Sequence, residues 1–129
     1  MIGWILALIV GIVYLGIRGF APDILGLEKF MDFGFIRSYM ENKGFPTLDP
    51  WWAGEKINYY TFGHFLIGKF LWLTKIPSGV GYNVVLALIF GISCGLSYLI
   101  VRTLIGKTKR TFKTVLSGLT GVFLVMIGG

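Results

Sequence analysis

Residues 26–64, GLEKFMDFGFIRSYMENKGFPTLDPWWAGEKINYYTFGH, form a polar and aromatic stretch inside a chain that is otherwise mostly apolar. The stretch holds five of the six acidic residues and ends on the single histidine, His64, while the sixth acid, Asp23, lies three positions before it. Outside it, three runs carry no charge: 1–17, 76–101 and 114–129. Because the acidic side chains gather between apolar runs, we expect the chemistry of the protein to lie in this stretch.

The composition predicts an integral membrane protein of the all-α class. Hydrophobic residues make up 55% of the 129 residues, and the mean hydropathy of +0.77 is too high for a soluble domain. A helix needs about 20 apolar residues to cross the hydrocarbon, so we predict a multi-pass protein of the cell membrane. The last run ends without a polar flank. We therefore expect this sequence to be the N-terminal part of a longer chain, whose remaining spans would be its packing partners.

The segments are predicted to form one membrane domain. Pro22, which a helix interior excludes, opens a loop, and a helical pattern then continues until Gly44 and Pro46 stop it. Residues 58–74 are apolar enough to enter a membrane but include Lys69. The predicted segments are a first span 1–18, an acidic loop 19–57 with a juxtamembrane helix 25–43, a short span or re-entrant helix 58–74, a span 77–105, a basic loop 106–113 and a truncated span 114–129.

The net charge of +6 comes in part from a cluster of basic residues between the last two spans: Lys107, Lys109, Arg110 and Lys113. Such a cluster is typical of a cytoplasmic loop, and contact with phospholipid headgroups is a second interpretation. Because only Phe112 interleaves it, we predict membrane lipid as a partner and no nucleic acid. Cys94, the single cysteine, lies within an apolar run and is expected to be a small buried helix residue.

The side of the membrane on which the acidic loop lies depends on residues 58–74. If those residues span, the acidic loop shares the cytoplasmic side with the basic loop. If they dip in and return, the acidic loop is extracytoplasmic. The loop 19–57 is net negative, with six acids against four bases, and this favours the extracytoplasmic side.

Glu28 and Asp32 are four positions apart, so on a helix their carboxylates share one face. Like charges at this spacing cost about 0.2–0.5 kcal/mol, and something should offset them. An ion pair between Lys29 and Asp32 is one explanation. The other is that the carboxylates, with or without Asp49, bind a divalent cation such as Mg²⁺ or Mn²⁺ or act as catalytic acid and base. Asp32 and Asp49 are the candidate metal ligands.

Aromatic and amide side chains surround and follow Asp49. Pro50 makes Asp49 a stiff, extended position, and the tryptophans after it are typical membrane-interface anchors that can stack on a sugar or a polyprenyl chain. The tyrosines and the asparagine further on offer groups that hydrogen-bond sugar or phosphate, although an interfacial aromatic belt explains them as well. A histidine in an apolar helix either packs or takes part in function. The candidate substrate-binding residues are Trp51, Trp52, Asn58, Tyr59, Tyr60 and His64.

Four motifs carry a family resemblance: GLEKFMDFGF at 26–35, DPWWAG at 49–54, INYY at 57–60 and FGH at 62–64. In residue identity and order they are similar to the signature of the YYY integral membrane proteins, a largely uncharacterised group of archaea and some bacteria, including Chloroflexi. Thr61 stands where that group has its third tyrosine. The group in turn resembles, more remotely, the lipid-dependent glycosyltransferases of the GT-C type.

The resemblance implies a glycosyltransferase-like enzyme that uses a polyprenyl-phosphate sugar at the extracytoplasmic face. In GT-C enzymes the loop after the first helix carries the catalytic acids, so Glu28, Asp32 or Asp49 would be the base or a metal ligand. Two alternatives stay open: a transporter or lipid-binding protein that uses His64 and Lys69, and a non-catalytic structural membrane module. The sequence contains no P-loop, dinucleotide-binding glycine fingerprint, zinc-ligand spacing or nucleophile elbow.

Overall fold

The computed structural model describes residues 2–42, 44–105 and 112–128. Within these ranges the chain forms five helices: α1 (Ile2–Phe20), α2 (Leu27–Glu41), α3 (Phe62–Thr74), α4 (Ser78–Leu104) and α5 (Phe112–Gly128). The described ranges contain no strand, and one isolated antiparallel bridge joins Leu48 and Lys56. The predicted all-α class is confirmed. Most of the predicted basic loop, 106–113, lies outside the described residues.

Among the described residues, two helices are long and apolar enough to cross a membrane, α1 with 19 residues and α4 with 27. At 1.5 Å per residue they are about 28 and 40 Å long, against a hydrocarbon core of about 30 Å. α3 has 13 residues and begins at Phe62 rather than at residue 58. Its length is therefore about 20 Å, and the choice between a short span and a re-entrant helix for residues 58–74 stays a prediction.

By its internal contacts the chain divides into two compact units, Met1–Ala21 with Leu86–Gly129, and Pro22–Val85. The first unit contains α1, most of α4, and α5. The second contains α2, α3, the loop between them and the first two turns of α4. The acidic stretch of the sequence thus forms the greater part of one unit.

Small residues bring α1 and α4 close together in the first unit. A Cβ atom added to Gly95 of α4 would lie 2.6 Å from the carbonyl oxygen of Gly3 and 2.7 Å from the Cβ of Ala7. Glycine at position 95 therefore lets the two backbones approach, as small residues do in membrane helices. Nearby, Cys94 is fully buried in the core of this unit, so the expectation of a small buried helix residue is confirmed.

Gly95→Ala should destabilise the first unit, whereas Gly16→Ala should not. Both changes replace a helical glycine by alanine, which by itself favours the helix by about 1 kcal/mol. No described atom beyond the neighbouring helix backbone lies within 4 Å of a Cβ at Gly16, but at Gly95 the methyl group meets the Gly3 backbone, and overpacking costs about 1–3 kcal/mol. Thermal unfolding in detergent should give Gly95→Ala the lower midpoint. Equal or reversed midpoints would contradict this packing.

α2 and α3 pack closely around Tyr39 in the second unit. The Tyr39 side chain is fully buried, and its hydroxyl group forms a 2.6 Å hydrogen bond with that of Thr61, just before α3. A Cβ atom on Gly68 would lie 2.7 Å from the Tyr39 Cβ and 2.8 Å from the Ile36 carbonyl oxygen. Thr61 is therefore a structural residue that joins the two helices.

Lys69 closes the C-terminal end of α2. Its ammonium group donates to the carbonyl oxygens of Tyr39 at 2.8 Å and Asn42 at 2.6 Å, groups that a helix end leaves without intrahelical partners. The Asn42 side-chain amide adds a hydrogen bond of 3.0 Å to the Ser38 carbonyl oxygen. α2 therefore ends through side-chain capping. Gly44, expected to end it in the left-handed conformation, does not adopt a positive φ.

Buried hydroxyl groups fix the loop after α2. The Ser38 hydroxyl donates to the Leu48 carbonyl oxygen at 2.6 Å, and the Thr47 hydroxyl donates to the Ser38 carbonyl oxygen at 3.1 Å. The backbone N–H of Ile57 then donates to the Thr47 carbonyl oxygen at 3.0 Å. Because these buried polar groups have partners, the loop is stable where it packs on α2. The loop therefore holds Asp49, Trp51 and Trp52 in defined positions.

Candidate acid–base site

A hydrogen bond of 2.9 Å joins His64 Nε2 on α3 to Asp32 Oδ1 on α2. Because a carboxylate oxygen accepts, the imidazole Nε2–H donates. The Asp32 side chain is 41% exposed and that of His64 is 19% exposed, so the carboxylate is the more accessible partner. The two residues come together only because α2 packs on α3.

The second ring nitrogen of His64 clarifies the roles of the pair. Nδ1 is buried and has no hydrogen-bond partner among the described residues. With the proton on Nε2, Nδ1 of the neutral ring is an acceptor that is shielded from solvent. The Asp32 carboxylate is therefore more accessible than Nδ1, and the bond from Nε2 holds it in one orientation.

Phe35 organises the aromatic residues around this pair. Its ring is 5% exposed, and its centroid lies 5.5 Å from those of Trp51 and His64 and 5.9 Å from that of Tyr59. The contacts with Trp51 and His64 are edge-to-face, an arrangement that contributes about 0.5–1.5 kcal/mol per pair beyond burial. Trp51 also lies against Gly34, where an added Cβ would be 2.9 Å from the ring. Three predicted site residues thus share one buried partner.

Tyr59 and Tyr60 form an exposed pair of stacked rings. Their centroids are 4.1 Å apart, and the Tyr59 hydroxyl donates a 2.8 Å hydrogen bond to that of Tyr60. This bond is the main reason that the pKa of Tyr59 is raised; desolvation, the Tyr60 charge and the negative charges of Asp32 and Glu28 raise it further.

Glu28 occupies the first turn of α2 and is exposed. A carboxylate there is stabilised by the N-terminal end of the helix, and this offsets part of its repulsion with Asp32. Asp32 itself is paired with His64. The interpretation in which Lys29 pairs with Asp32 is therefore wrong, because the partner comes from α3 rather than from the same helix.

Asp49 has a different environment from Asp32. Its Oδ1 accepts hydrogen bonds from the backbone N–H groups of Trp51 at 2.8 Å and Trp52 at 3.2 Å, which is the geometry of an Asx turn. Asp49 also lines an open depression of about 400 Å³ that includes Arg37 and Glu41. Those two side chains form an exposed ion pair of 2.9 Å. The local role of Asp49 is to hold the turn that aims the tryptophans.

The sequence-predicted residues thus separate into two groups. Trp51, Tyr59 and His64 meet around Phe35 beside Asp32. The others project into solvent: Trp52 is 72% exposed and Tyr60 82%, and Glu28 and Asn58 are also exposed.

Residues 3–129 match the profile of a protein family described as "Uncharacterized membrane protein (DUF2298)". The chain belongs to this family. No curated protein and no solved structure matches it. The family description and the two long apolar helices together support the predicted membrane protein.

The DUF2298 chain brings few metal ligands together. Mg²⁺ and Mn²⁺ prefer several oxygen ligands, yet no group of three His, Cys, Asp or Glu side chains gathers within the described ranges. Asp32 contacts His64, and Asp49 contacts the backbone of its own turn. These residues do not fit a cation held mainly by protein side chains. Cation binding by Asp32 and Asp49 stays a prediction, and a base role for Asp32 does not require it.

Phe35, the buried centre of the site, is not among the residues that the sequence of this DUF2298 chain predicts. One signal points to it: Phe35 is three positions after Asp32, so the two share a helix face. Its contacts with Trp51, Tyr59 and His64 have no such signal, because they depend on how the loop and α3 lie against α2.

Proposed function

We propose that the Asp32–His64 pair is the acid–base centre of a glycosyltransferase-like, multi-pass membrane enzyme. The enzyme would transfer a sugar from a polyprenyl-phosphate donor at the extracytoplasmic face. The observation that carries this proposal is the 2.9 Å hydrogen bond from His64 to the accessible carboxylate of Asp32. The resemblance of residues 26–64 to the YYY proteins, and through them to GT-C enzymes, supports it.

Asp32 acts as the base in this reaction. An acceptor hydroxyl attacks the anomeric carbon of the donor sugar while its proton passes to the Asp32 carboxylate. A new carbon–oxygen bond forms, and the bond from the sugar to the phosphate oxygen breaks, so that polyprenyl phosphate leaves with the electron pair. The Nε2–H of His64 holds the carboxylate in one orientation. A base positioned in this way contributes about 100- to 10,000-fold to the rate.

Exposed aromatic rings in the same unit as Asp32 support a sugar as ligand. Tyr60 and Trp52 present open ring faces, which suit an amphipathic ligand with one apolar face and a rim of hydroxyl groups. The Tyr59 hydroxyl donates its hydrogen bond to the Tyr60 hydroxyl, and the raised pKa of Tyr59 keeps this donor protonated. The Tyr60 hydroxyl in turn can donate to a sugar hydroxyl or a phosphate oxygen.

The direct test is sugar transfer by membrane vesicles that contain the complete membrane protein. Vesicles are incubated with radiolabelled polyprenyl-phosphate mannose or glucose and total acceptor material, and vesicles without the protein serve as the blank. Protein-dependent transfer would support the proposal. Intact donor after incubation with every acceptor fraction would count against it.

A cysteine at Glu55 should react with a membrane-impermeant maleimide in intact cells. Glu55 is exposed in the loop before Tyr59. Thr47, in the same loop, is 1% exposed, so a cysteine there would react poorly with the reagent. The probe is placed in a Cys94→Ala background. The matched control is Lys109→Cys in the predicted cytoplasmic loop, which should react only after lysis. Glu55→Cys labelling only after lysis would put the acidic loop in the cytoplasm and remove the extracytoplasmic reaction.

A non-catalytic membrane module is the second candidate, and the environment of Asp49 favours it. The Asp49 carboxylate serves a turn, and the Asp32–His64 bond also ties α2 to α3. This candidate predicts that Asp32 contributes to stability alone. The transporter alternative has less support, because Lys69 is engaged by the carbonyl groups at the end of α2.

A further inference from the structure

A cavity of about 280 Å³ lies where the C-terminal end of α2 meets α3, lined by Met40, Glu41, Asn42, Lys69 and Trp72. None of these residues belongs to the Asp32–His64 pair or to the aromatic cluster around Phe35. The wall combines an ammonium group and an indole ring, a combination found where a protein meets the interface of a membrane.

Lys69 places a positive charge on the wall of this cavity. An ammonium group has three N–H donors, and two of them bind the carbonyl oxygens of Tyr39 and Asn42. The third donor and the charge remain for a ligand. Those two hydrogen bonds also hold the ammonium group in place, so a ligand need not order the lysine side chain itself.

A second cation lies beside the same indole ring. The Lys75 ammonium group is 4.9 Å from the centre of the Trp72 ring, which is cation–π range. The acid in the lining, Glu41, is already balanced by Arg37 at 2.9 Å. The cavity therefore has an excess of positive charge and suits an anion.

α3 also presents an apolar stripe next to Lys69. Its members are spaced four, four and three positions apart, which keeps them on one helix face, and they are 50–72% exposed: Phe62, Leu66, Phe70 and Leu73. Lys69 lies three positions after Leu66 and four before Leu73, so it borders this stripe. An anion with long apolar chains matches both features together.

We propose that this cavity binds the phosphate-bearing headgroup of an anionic phospholipid. Lys69 and Lys75 contact the headgroup, Trp72 lies at the level of the interface, and the acyl chains follow the exposed stripe of α3. The proposal is independent of the sugar-transfer function, because it uses none of the residues assigned to that reaction.

The test is native mass spectrometry of the complete membrane protein in detergent, titrated with phosphatidylglycerol or with phosphatidylcholine. The wild-type chain should retain phosphatidylglycerol in preference. Lys75→Gln should weaken that retention about five-fold, since a lysine near an anionic lipid surface contributes about 1 kcal/mol. Lys56→Gln, which neutralises another exposed lysine of the same unit, should leave it unchanged.

Lys69→Gln also removes the cap of α2. If Lys69→Gln does not fold, lipid retention by Lys75→Gln and Trp72→Leu tests the proposal in its place. Equal retention of the two lipids would overturn the proposal. So would equal losses in Lys75→Gln and Lys56→Gln, because the effect would then be one of net charge. Displacement of bound lipid by millimolar inorganic phosphate, with phosphate retained in its place, would likewise overturn a headgroup site in favour of a free phosphate site.

Discussion

Asp32→Asn should lower sugar transfer by the complete membrane protein about 100-fold or more while leaving the fold intact. Asparagine has nearly the same shape, and its side-chain oxygen can still accept the hydrogen bond from His64 Nε2, which spans 2.9 Å in the wild type. The neutral amide cannot take a proton from an acceptor hydroxyl, and loss of a positioned base costs about 100- to 10,000-fold. Initial transfer rates from a polyprenyl-phosphate sugar measure the effect.

Glu41→Gln is the matched control for Asp32→Asn. It removes the same charge from the same helix, at an exposed carboxylate whose partner is Arg37. We expect transfer to stay within about two-fold of wild type, since exposed ion pairs contribute about 0–1 kcal/mol. Thermal unfolding of both variants shows whether each is folded. If Asp32→Asn transfers sugar as fast as Glu41→Gln, Asp32 is not the base and the structural module becomes the better description.

Phe35→Ala should lower the free energy of unfolding by about 3–5 kcal/mol, the usual cost of removing a buried phenylalanine ring. The ring is 5% exposed and contacts Trp51, Tyr59 and His64. Its removal leaves a cavity at the centre of the site and deprives three candidate residues of their common support. Chemical unfolding in detergent, followed by tryptophan fluorescence, measures the change.

The comparison variant is Phe30→Ala on the same helix. Phe30 is 60% exposed, so its truncation should change the free energy of unfolding by about 0.5 kcal/mol or less. Similar losses in Phe30→Ala and Phe35→Ala would show that Phe35 is not the centre of the packing. Sugar transfer by Phe35→Ala should also fall, because His64 would no longer be held against Asp32 by a packed ring.

Local features of the sequence predict much of the fold. The charge-free runs identify α1 and α4, and Pro22 falls in the loop that follows α1, as expected for a residue that a helix interior excludes. The end of α2 shows where local rules fail. Gly44 and Pro46 predict a glycine-type termination, but the helix is capped by Lys69, which is 27–30 positions away from the carbonyl groups it binds. The end of α2 therefore depends on a residue far away in the chain and not on the Gly44–Pro46 pattern.

In the candidate site, too, local sequence features predict some properties and fail to predict others. The grouping of the acids marks the segment in which Asp32 pairs with His64, and the spacing of Glu28 and Asp32 places both on α2. That spacing also suggests Lys29 as the partner of Asp32, which is wrong. Asp49 and Asp32 look equivalent in sequence, yet one holds a turn and the other pairs with a histidine. Their difference arises from the loop and α3, which spacing does not describe.

The all-α class, the membrane location and the segment that carries most of the acidic residues are predictable from the chain alone, because they follow from hydropathy and from the 3.6-residue period of single helices. That His64 binds Asp32, that Phe35 supports three site residues and that Lys69 caps α2 is visible only in the folded protein. Each of these contacts joins elements far apart in the chain. They depend on the rotation of α3 against α2, where a shift of one residue turns a side chain by about 100°, and no local pattern specifies that rotation.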